Sequence, residues 1–300
     1  MVTVTDLRRK AGEERITMLT AYDAPTASVI DEAGVDVVLV GDSMGNAVMG
    51  YDSTIPVTME DVLSRAGAVA RAVDDALVVA DLPFGSYGQS LEQGVENATR
   101  LLKEAGVDAV KIESGPHTVD LTERLANTGI PVMAHLGLTP QHVNQLGGYG
   151  RQGTTQETAE RILDLATAHE DAGAFSLVLE HVPANVAADV TDAIDIPTIG
   201  IGAGPDTDGQ VLVITDVLGL SEWSPPFAEQ FGDVRAEMES AVDDYREAVE
   251  SGEFPAEEHT HVEEGVELRY APAEQDGGET DTDAGTSTDG GTDAESGAGE

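Results

Sequence analysis

The sequence predicts an α/β protein in which eight parallel strands, each followed by a helix, close into a (β/α)8 barrel of the TIM type. Two observations support this prediction: short apolar runs recur along the chain, and amphipathic segments separate them. Near-continuous apolar runs are typical of parallel strands that are buried on both faces. Eight alternations favour a closed barrel over the alternative, a doubly wound open sheet.

Most of the apolar runs end in polar residues or glycine, as strands do before a turn. In chain order they are ITMLTAYD (16–23), VDVVLVGD (35–42), ALVVADLP (76–83), VDAVKIES (107–114), IPVMAHLG (130–137), AFSLVLEH (174–181), IPTIGIGA (196–203) and GQVLVITD (209–216). The segments 90–106 and 155–173 begin with Ser or Thr and end with Gly, as helices do. An extra helical segment, 233–252, follows the eighth run, so we expect it to pack outside the barrel or against a neighbouring subunit.

The C-terminal segment 272–300 differs in composition from the rest of the chain. It contains no basic residue and almost no large apolar side chain. Such a segment cannot bury enough surface to offset the entropy of ordering it. We therefore predict one catalytic domain over 1–271, including the extra helix, and a disordered acidic tail over 272–300.

The formal net charge of −42 is the extreme feature of the composition. It argues against binding to nucleic acid, because phosphate neutralisation needs clustered Lys and Arg. Only three residues are lysines, and the acids are spread along the whole chain instead of forming one patch. This pattern favours the enzyme of a halophile, whose self-repulsion is screened by concentrated salt, over an acidic interaction protein.

Other bulk features indicate the compartment. No apolar stretch approaches the ~20 residues of a membrane-spanning helix, and the first residues lack the apolar core of a secretory signal. The chain has no cysteine, which excludes disulfides and thiolate metal sites. We expect a cytoplasmic protein that binds neither membrane nor nucleic acid.

Acidic residues end three strands that are neighbours in the predicted barrel. Asp42, Asp81 and Glu113 close the second, third and fourth strands, and catalytic side chains of such barrels lie at the carboxyl ends of strands. Carboxylates so close raise one another's pKa unless a cation lies between them. Oxygen ligands favour a hard ion such as Mg2+. Ordinary helix capping is the alternative, and we prefer it for Asp23 and Asp216.

Further strand ends supply groups that could act on a substrate. Lys111 lies two residues before Glu113, so both side chains share a face of the strand, where Lys111 can hold an anionic substrate or pair with Glu113. Glu180 ends the sixth strand, across the barrel from the acids, where a general base is well placed. His135 is either an active-site group or a satisfied core histidine. A tight turn explains the glycine-rich stretch 200–204 better than a dinucleotide site does.

At these residues the sequence resembles the ketopantoate hydroxymethyltransferase (3-methyl-2-oxobutanoate hydroxymethyltransferase) family of pantothenate biosynthesis. The resemblance runs in order from about residue 3 to 261 and leaves out only the tail. The matching stretches are MLTAYDAP, LVGDSMGNAVMGYDSTIPVTMEDV, ADLPFGSY, VKIES, HLGLTPQHVNQLGGYG, LVLEHVP, IPTIGIGAG, DGQVLV and ESGEFPAEEH.

The resemblance implies a role for each matched position and a reaction. Asp42, Asp81 and Glu113 match the magnesium site, with one Mg2+ per subunit; Asp42, Ser43, Asp81, Lys111 and His135 match keto-acid contacts; Glu180 matches the proton acceptor. The implied reaction transfers a hydroxymethyl group from the co-substrate 5,10-methylene-tetrahydrofolate to 3-methyl-2-oxobutanoate, giving 2-dehydropantoate through a Mg-stabilised enolate. The implied assembly is a homodecamer of two stacked pentameric rings.

The sequence departs from the family pattern at several positions. The family often has cysteine where His181 follows Glu180, and basic residues near 147–153 and 225–231. Acidic or neutral residues replace several of those bases, for example Glu229. The resemblance therefore leaves open which pterin carrier is used and how the negatively charged end of the folate is held.

Two other classes of protein remain as alternatives. A Mg-dependent carbon–carbon lyase of the isocitrate lyase or phosphoenolpyruvate mutase kind shares a similar barrel, but the chain lacks the lyase cysteine. A catalytically silent acidic scaffold would have no need to keep the acid–lysine–acid set of strand ends. A test for 2-dehydropantoate as the product separates these alternatives.

Overall fold

A computed structural model describes residues 1–221 and 223–267, and it confirms the predicted barrel. Eight parallel strands close on themselves in chain order, and the eighth pairs with the first. The strands are β1 Ile16–Thr20, β2 Val37–Val40, β3 Leu77–Asp81, β4 Ala109–Glu113, β5 Val132–Gly137, β6 Ser176–Glu180, β7 Thr198–Ile201 and β8 Gly209–Leu212. Each of them lies within one of the predicted runs.

Helices alternate with the strands. They are α1 Val4–Lys10, α2 Ala24–Glu32, α3 Met44–Ala47, α4 Met59–Ala70, α5 Leu91–Arg100, α6 Val119–Thr128, α7 Val143–Leu146, α8 Gln156–Asp171, α9 Ala184–Ala193, α10 Ile214–Val217 and α11 Val234–Ser251. A π-helical turn, Leu101–Ala105, follows α5, and 3-10 turns occupy Pro140–His142 and Glu257–His259. The predicted extra helix is therefore α11.

Within the described residues, Met1–Asp244 form one compact unit and 245–267 belong to a second. The predicted acidic tail, 272–300, lies outside the described residues. Among the described helices, none is both long and apolar enough to cross a membrane.

Inward-facing side chains fill the barrel in layers. Inward-facing residues nearer the amino-terminal ends of the strands form one buried cluster with Leu7 of α1. Helix α1 therefore covers the amino-terminal end of the barrel. The strand members of this cluster are Ile16, Met18, Val37, Leu39, Leu77, Val79, Ala109, Met133, Val178, Ile199 and Val211. Because side chains alternate along a strand, the next inward positions toward the carboxyl ends include Asp81, Lys111, His135 and Glu180. The polar site therefore rests directly on the apolar fill of the barrel.

Acidic side chains also join neighbouring strands at the amino-terminal rim. The Asp36 carboxylate accepts hydrogen bonds from Lys10 Nζ at 2.6 Å and from the backbone N–H of Thr17 at 2.9 Å. Asp108 and Asp208 likewise accept from backbone N–H groups of β3 and β7. This end of a barrel contributes stability and not chemistry, so part of the acidic composition has a structural purpose.

Candidate active site

The carboxyl ends of the strands enclose a cavity of about 880 Å³, at the end of the barrel that the sequence predicted. Every candidate site residue lines it: Asp42, Ser43, Asp81, Lys111, Glu113, His135 and Glu180. Sequence reasoning about strand ends therefore brought together residues that are dispersed over almost half of the chain.

The bend after β2 places Asp42 and Ser43 at the cavity. The Asp42 backbone N–H donates to Asp81 Oδ2 at 3.0 Å, and Ser43 Oγ lies 2.9 Å from the hydroxyl of buried Tyr22. A Cβ on Gly41 would lie 2.6 Å from Ser43 Oγ, so any other residue at this position would displace the Ser43 hydroxyl. The apolar strand thus ends in a bend whose shape carries an acid and a hydroxyl into the site.

Lys111 is buried beside Asp81. Its Nζ lies 3.0 Å from Asp81 Oδ1 and 3.3 Å from His135 Nδ1. The alternative that Lys111 pairs with Glu113 is therefore wrong, because the strand register sets Asp81 directly opposite Lys111. Burial lowers the pKa of Lys111, but the carboxylates of Asp81, Asp42 and Glu113 outweigh it, so the pKa is raised and the ammonium stays charged.

Gln141 joins two of the acids, and sequence reasoning missed it. Its side-chain amide donates to Asp42 Oδ2 at 2.7 Å, and its backbone N–H donates to Glu113 Oε2 at 3.0 Å. The Gln141 Oε1 accepts from the Tyr87 hydroxyl at 2.8 Å. Both Gln141 and Tyr87 lie in stretches that carry the family resemblance, but neither residue type by itself indicates this role.

The pKa values of Asp42 and Glu113 are raised, as expected for buried carboxylates with like charges nearby. Burial raises the pKa of Asp42 most, and Asp81 and Glu113 raise it further. Burial also raises the pKa of Glu113 to about 8, although the Gln141 N–H and Lys111 oppose this. The single positive charge of Lys111 therefore does not neutralise the three carboxylates. Their oxygen atoms suit a hard divalent cation.

The geometry limits how such a cation would be held. Within the described residues, no three His, Asp or Glu side chains are arranged as they stand to hold a metal ion together. Mg2+ needs only one or two carboxylates and takes its remaining ligands from water and substrate. The donor set therefore fits Mg2+ better than it fits an ion enclosed by protein ligands alone.

His135 and Glu180 form a pair on the far side of the cavity. His135 Nε2 lies 3.1 Å from Glu180 Oε2. Burial and the nearby Lys111 lower the pKa of His135, although Glu180 opposes this. The lowered pKa favours a neutral ring. Because Lys111 can only donate to Nδ1, the ring proton belongs on Nε2, facing Glu180. The Glu180 side chain is 17% exposed and that of His135 3%, so Glu180 is the member of the pair that opens to the cavity.

Four buried polar atoms of the described residues have no aligned hydrogen-bond partner, and all four belong to residues that line the cavity. They are Thr54 Oγ1, Asp81 Oδ1, His135 Nε2 and Thr215 Oγ1. Asp81 Oδ1 and His135 Nε2 have charged neighbours at ion-pair distance, but these contacts miss hydrogen-bond alignment. Since buried polar groups are rarely left unpaired, these four atoms are available to pair with water or a polar ligand in the cavity. His135 is accordingly not a satisfied core histidine.

Two expectations about rim residues have different outcomes. Asp23 caps α2, as predicted, by accepting from the Thr26 N–H at 2.9 Å. Asp216 does not cap a helix: it lies inside α10 and faces the cavity, where it accepts from Ser224 Oγ at 2.8 Å. The reason is that β8 ends four residues earlier than the apolar run does. The glycine-rich stretch is a turn, as predicted, with Gly202 at φ +61°.

Fold and site together define a (β/α)8-barrel enzyme with a cluster of acids and one lysine at the carboxyl ends of its strands. The profile of the ketopantoate hydroxymethyltransferase family matches residues 1–257, and the chain belongs to that family. The chain is 69% identical over 274 residues to the 3-methyl-2-oxobutanoate hydroxymethyltransferase of Halobacterium salinarum, covering 90% of this chain and 100% of that protein.

Solved structures of several other enzymes share this fold. The phosphoenolpyruvate phosphomutase of Streptomyces platensis subsp. rosaceus matches with a TM-score of 0.57 and 17% identity, over 83% of this chain and 88% of that one. A phosphonopyruvate hydrolase in complex with oxalate and Mg2+ matches with a TM-score of 0.55 and 14% identity, over 86% and 93%. At these identities the likeness shows the barrel alone.

Replacement of Gln141 by leucine should weaken binding of Mg2+ by about 10- to 100-fold, the usual effect of removing a group that orients metal ligands. The amide that holds Asp42 would be lost, while the backbone donor to Glu113 would stay. Calorimetric titration with MgCl2 in molar KCl measures the affinity. Gln89→Leu is the matched control, because Gln89 is exposed. Absence of Mg2+ binding by the unaltered protein would refute the cation site, and equal affinities would refute the role of Gln141.

Proposed function

We propose that the enzyme transfers a hydroxymethyl group from 5,10-methylene-tetrahydrofolate to 3-methyl-2-oxobutanoate, giving 2-dehydropantoate. Membership of the family supports the reaction class. The observation that carries the proposal is the arrangement around one cavity of a charged lysine, a cluster of acids and a separate, accessible glutamate. Each of these groups has a distinct part in the chemistry.

The keto acid is anionic, so a fixed positive charge should hold it. Lys111 is the only lysine or arginine among the described residues that line the cavity, and its pKa is raised. Its ammonium contacts Asp81 and His135 and has a third proton left for a substrate oxygen. Ser43 lies beside Asp42 and offers a hydroxyl to the same substrate. Lys111 and Ser43 therefore position the keto acid.

We assign one Mg2+ per subunit to Asp42, Asp81 and Glu113: one or two of these carboxylates would bind the ion directly, and water and substrate oxygens would supply its other ligands. Bound there, the ion would supply a Lewis acid that polarises the carbonyl of the keto acid. The oxygen donors and the mutual repulsion of the acids support this assignment. A phosphonopyruvate hydrolase with the same fold is solved in complex with oxalate, a small carboxylate ligand, and Mg2+.

Glu180 would act as the general base. It is the most exposed of the candidate acids, and it lies on β6, across the barrel from β2 and β3. A base must reach the substrate proton within hydrogen-bond distance, and His135 at 3.1 Å restrains the carboxylate on one side. We propose that Glu180 accepts the C3 proton of the keto acid and that His135 positions it.

The reaction balances with these residues and water. Loss of the C3 proton to Glu180 leaves an enolate, whose C3 forms a bond to the methylene carbon supplied by the folate. Both bonds from that carbon to folate nitrogens break, and the nitrogens take up protons. Water supplies the oxygen of the new hydroxyl group and the remaining proton. The products are 2-dehydropantoate and tetrahydrofolate.

The alternative is a Mg-dependent carbon–carbon lyase of the isocitrate lyase or phosphoenolpyruvate mutase kind. The observation in its favour is the shared barrel, but at 17% identity this likeness shows the fold alone. Residues 1–271 would form the catalytic domain in either case. The product of the reaction with 3-methyl-2-oxobutanoate decides between the two.

We also propose a homodecamer, with α11 as a contact between subunits. The helix has no buried residue, yet Met238, Val242, Tyr245 and Val249 are large apolar residues that are 45–65% exposed. Their spacing of four, three and four places them on one face of the helix. A continuous apolar stripe on an exposed helix is typical of a surface that binds another chain.

The acidic surface supports a protein adapted to a cytoplasm with concentrated salt. The 15 basic residues oppose 57 acidic ones. Self-repulsion of this size favours the unfolded chain unless salt screens it. We propose that the protein is halophilic and cytoplasmic.

Replacement of Glu180 by glutamine should slow exchange of the C3 proton of 3-methyl-2-oxobutanoate with deuterated solvent by about 10²–10⁴-fold, because the amide cannot accept the proton. The exchange is followed by NMR without folate, in molar KCl with Mg2+. Glu170→Gln, on α8 outside the cavity, is the control. Exchange by the Glu180 variant at the unaltered rate would assign the base to another group, and failure of the unaltered protein to form 2-dehydropantoate would refute the proposed function.

Light scattering in molar KCl should give a mass near ten times the 31.3 kDa of one chain. Val242→Glu places a charge in the apolar stripe and should lower that mass. Ser240→Glu adds the same charge on the opposite face of α11 and should not. A monomeric protein, or equal effects of the two substitutions, would contradict the proposed contact.

Transfer from molar KCl to dilute buffer should unfold the protein. The screening length grows from about 3 Å at 1 M to about 10 Å at 0.1 M salt, so repulsion between surface acids increases while the apolar core is unchanged. Circular dichroism at 222 nm (the helical band), recorded against KCl concentration and with urea at each point, measures the stability. Equal stability at both salt concentrations would show that the acidic surface is not an adaptation to salt.

A further inference from the structure

The cavity has a second side that the proposed chemistry does not use. The groups of the proposed chemistry lie at the ends of β2 to β6, whereas the second side is formed by the loop after β8 and by residues 51–54, beyond the bend that follows β2. A cavity of about 880 Å³ is in the range that encloses a drug-sized ligand. A small keto acid bound at the ends of β2 to β6 leaves this second side open.

Two unpartnered hydroxyl groups mark this second side. Thr54 Oγ1 and Thr215 Oγ1 have no hydrogen-bond partner, although Thr54 is 4% and Thr215 7% exposed. Asp216 lies next to Thr215, and its carboxylate forms a single hydrogen bond within the described residues, with Ser224 Oγ. Two hydroxyls and a carboxylate with spare acceptors suit a ligand that presents both N–H donors and ring nitrogens.

Aromatic side chains lie on the same side. The chain has only one tryptophan, six tyrosines and five phenylalanines, yet Tyr51, Trp223 and Phe227 all line the cavity from the loops after β2 and β8. Trp223 is 74% and Tyr51 40% exposed, so their rings are not used for core packing. Exposed rings at the entrance of a cavity favour stacking of a flat ligand.

The ring of Phe227 packs against Gly202 and the His181 side chain, both at the carboxyl ends of strands. A Cβ on Gly202 would lie 2.7 Å from this ring, so the φ of +61° and the missing side chain at Gly202 together admit it. The His181 ring packs against Phe227 with centroids 5.5 Å apart. His181 is itself the one described non-glycine residue with positive φ, at 49°. The glycine-rich turn and the His181 ring therefore fix the position of this aromatic ring at the cavity.

We propose that Tyr51, Thr54, Thr215, Asp216, Trp223 and Phe227 form the subsite for the pterin ring of the one-carbon donor; this inference rests on the proposed function. The aromatic rings stack on the pterin. The Asp216 carboxylate accepts from its 2-amino and ring N–H groups, and the two threonine hydroxyls bond its remaining polar edge. The ring then lies across the cavity from Lys111, with the keto acid between.

The charge of the cavity adds a specificity. Apart from Lys111, which contacts Asp81, no lysine or arginine lines the cavity within the described part of the chain. The glutamate end of a folate therefore finds no cationic partner there and extends into solvent. Affinity for the donor should depend on its ring and hardly at all on its acidic tail.

The single tryptophan provides a direct test in molar KCl. Titration with 5-formyl-tetrahydrofolate, a stable reduced pterin, should quench Trp223 fluorescence to saturation, and 6-methyltetrahydropterin, which has no glutamate, should compete with it. Asp216→Asn should raise the Kd by about 10- to 100-fold through loss of a charged hydrogen bond. In turnover it should raise the KM of the folate by a similar factor, with the KM of the keto acid changed by less than about threefold.

Two further variants guard against a trivial loss of folding. Thr215→Val removes a hydroxyl at constant shape and should raise the Kd for 5-formyl-tetrahydrofolate in the same direction, by a smaller factor. Asp189→Asn, an exposed acid on α9, should change neither Kd nor KM. If the unaltered protein turns over but Trp223 is not quenched, the subsite is wrong and the proposed function stands. The same holds if Asp216→Asn and Thr215→Val leave the KM of the folate unchanged. Lack of turnover by the unaltered protein refutes the proposed function itself.

Discussion

Burial of like charges at one end of the barrel is the constraint on which the rest of the site depends. Asp42, Asp81 and Glu113 are each at most 5% exposed, and carboxylates in such surroundings are costly unless donors are aligned on them. The protein supplies those donors from one lysine, one glutamine and its own backbone. The cluster still retains raised pKa values, so a bound cation is the group that would relieve it.

Much of the nearby backbone serves this arrangement. Glycine at position 41 leaves room for the Ser43 hydroxyl. Gly137, at φ +96°, packs so closely on the backbone carbonyl of Glu180 that a Cβ would not fit. The 3-10 turn Pro140–His142 brings the Gln141 N–H to Glu113. Without these turns the acids would still end their strands, but they would lack the donors that make their burial tolerable.

The barrel does not by itself distinguish the chemistry. A phosphomutase and a phosphonopyruvate hydrolase share it at 14–17% identity, since a fold hosts many activities and function lies in the site. This chain is distinguished by the set of side chains at its strand ends. It is also 69% identical to a 3-methyl-2-oxobutanoate hydroxymethyltransferase. Acids at the amino-terminal rim, such as Asp36, show that the same residue type has a structural role at the other end.

The sequence by itself determined the barrel and the principal candidate residues, because both are local properties. Apolar runs predict strands wherever the core lies, and the last residue of each parallel strand lies at the common carboxyl edge, as Asp81, Glu113 and Glu180 do. Only the tertiary structure decided that Lys111 pairs with Asp81, since that depends on the register between β3 and β4. It also decided that Gln141 reaches Asp42 across 99 positions of the chain, and that Asp216 faces the cavity. Such contacts arise when the ring of strands closes, and no pattern within one segment records which distant segments closure brings together.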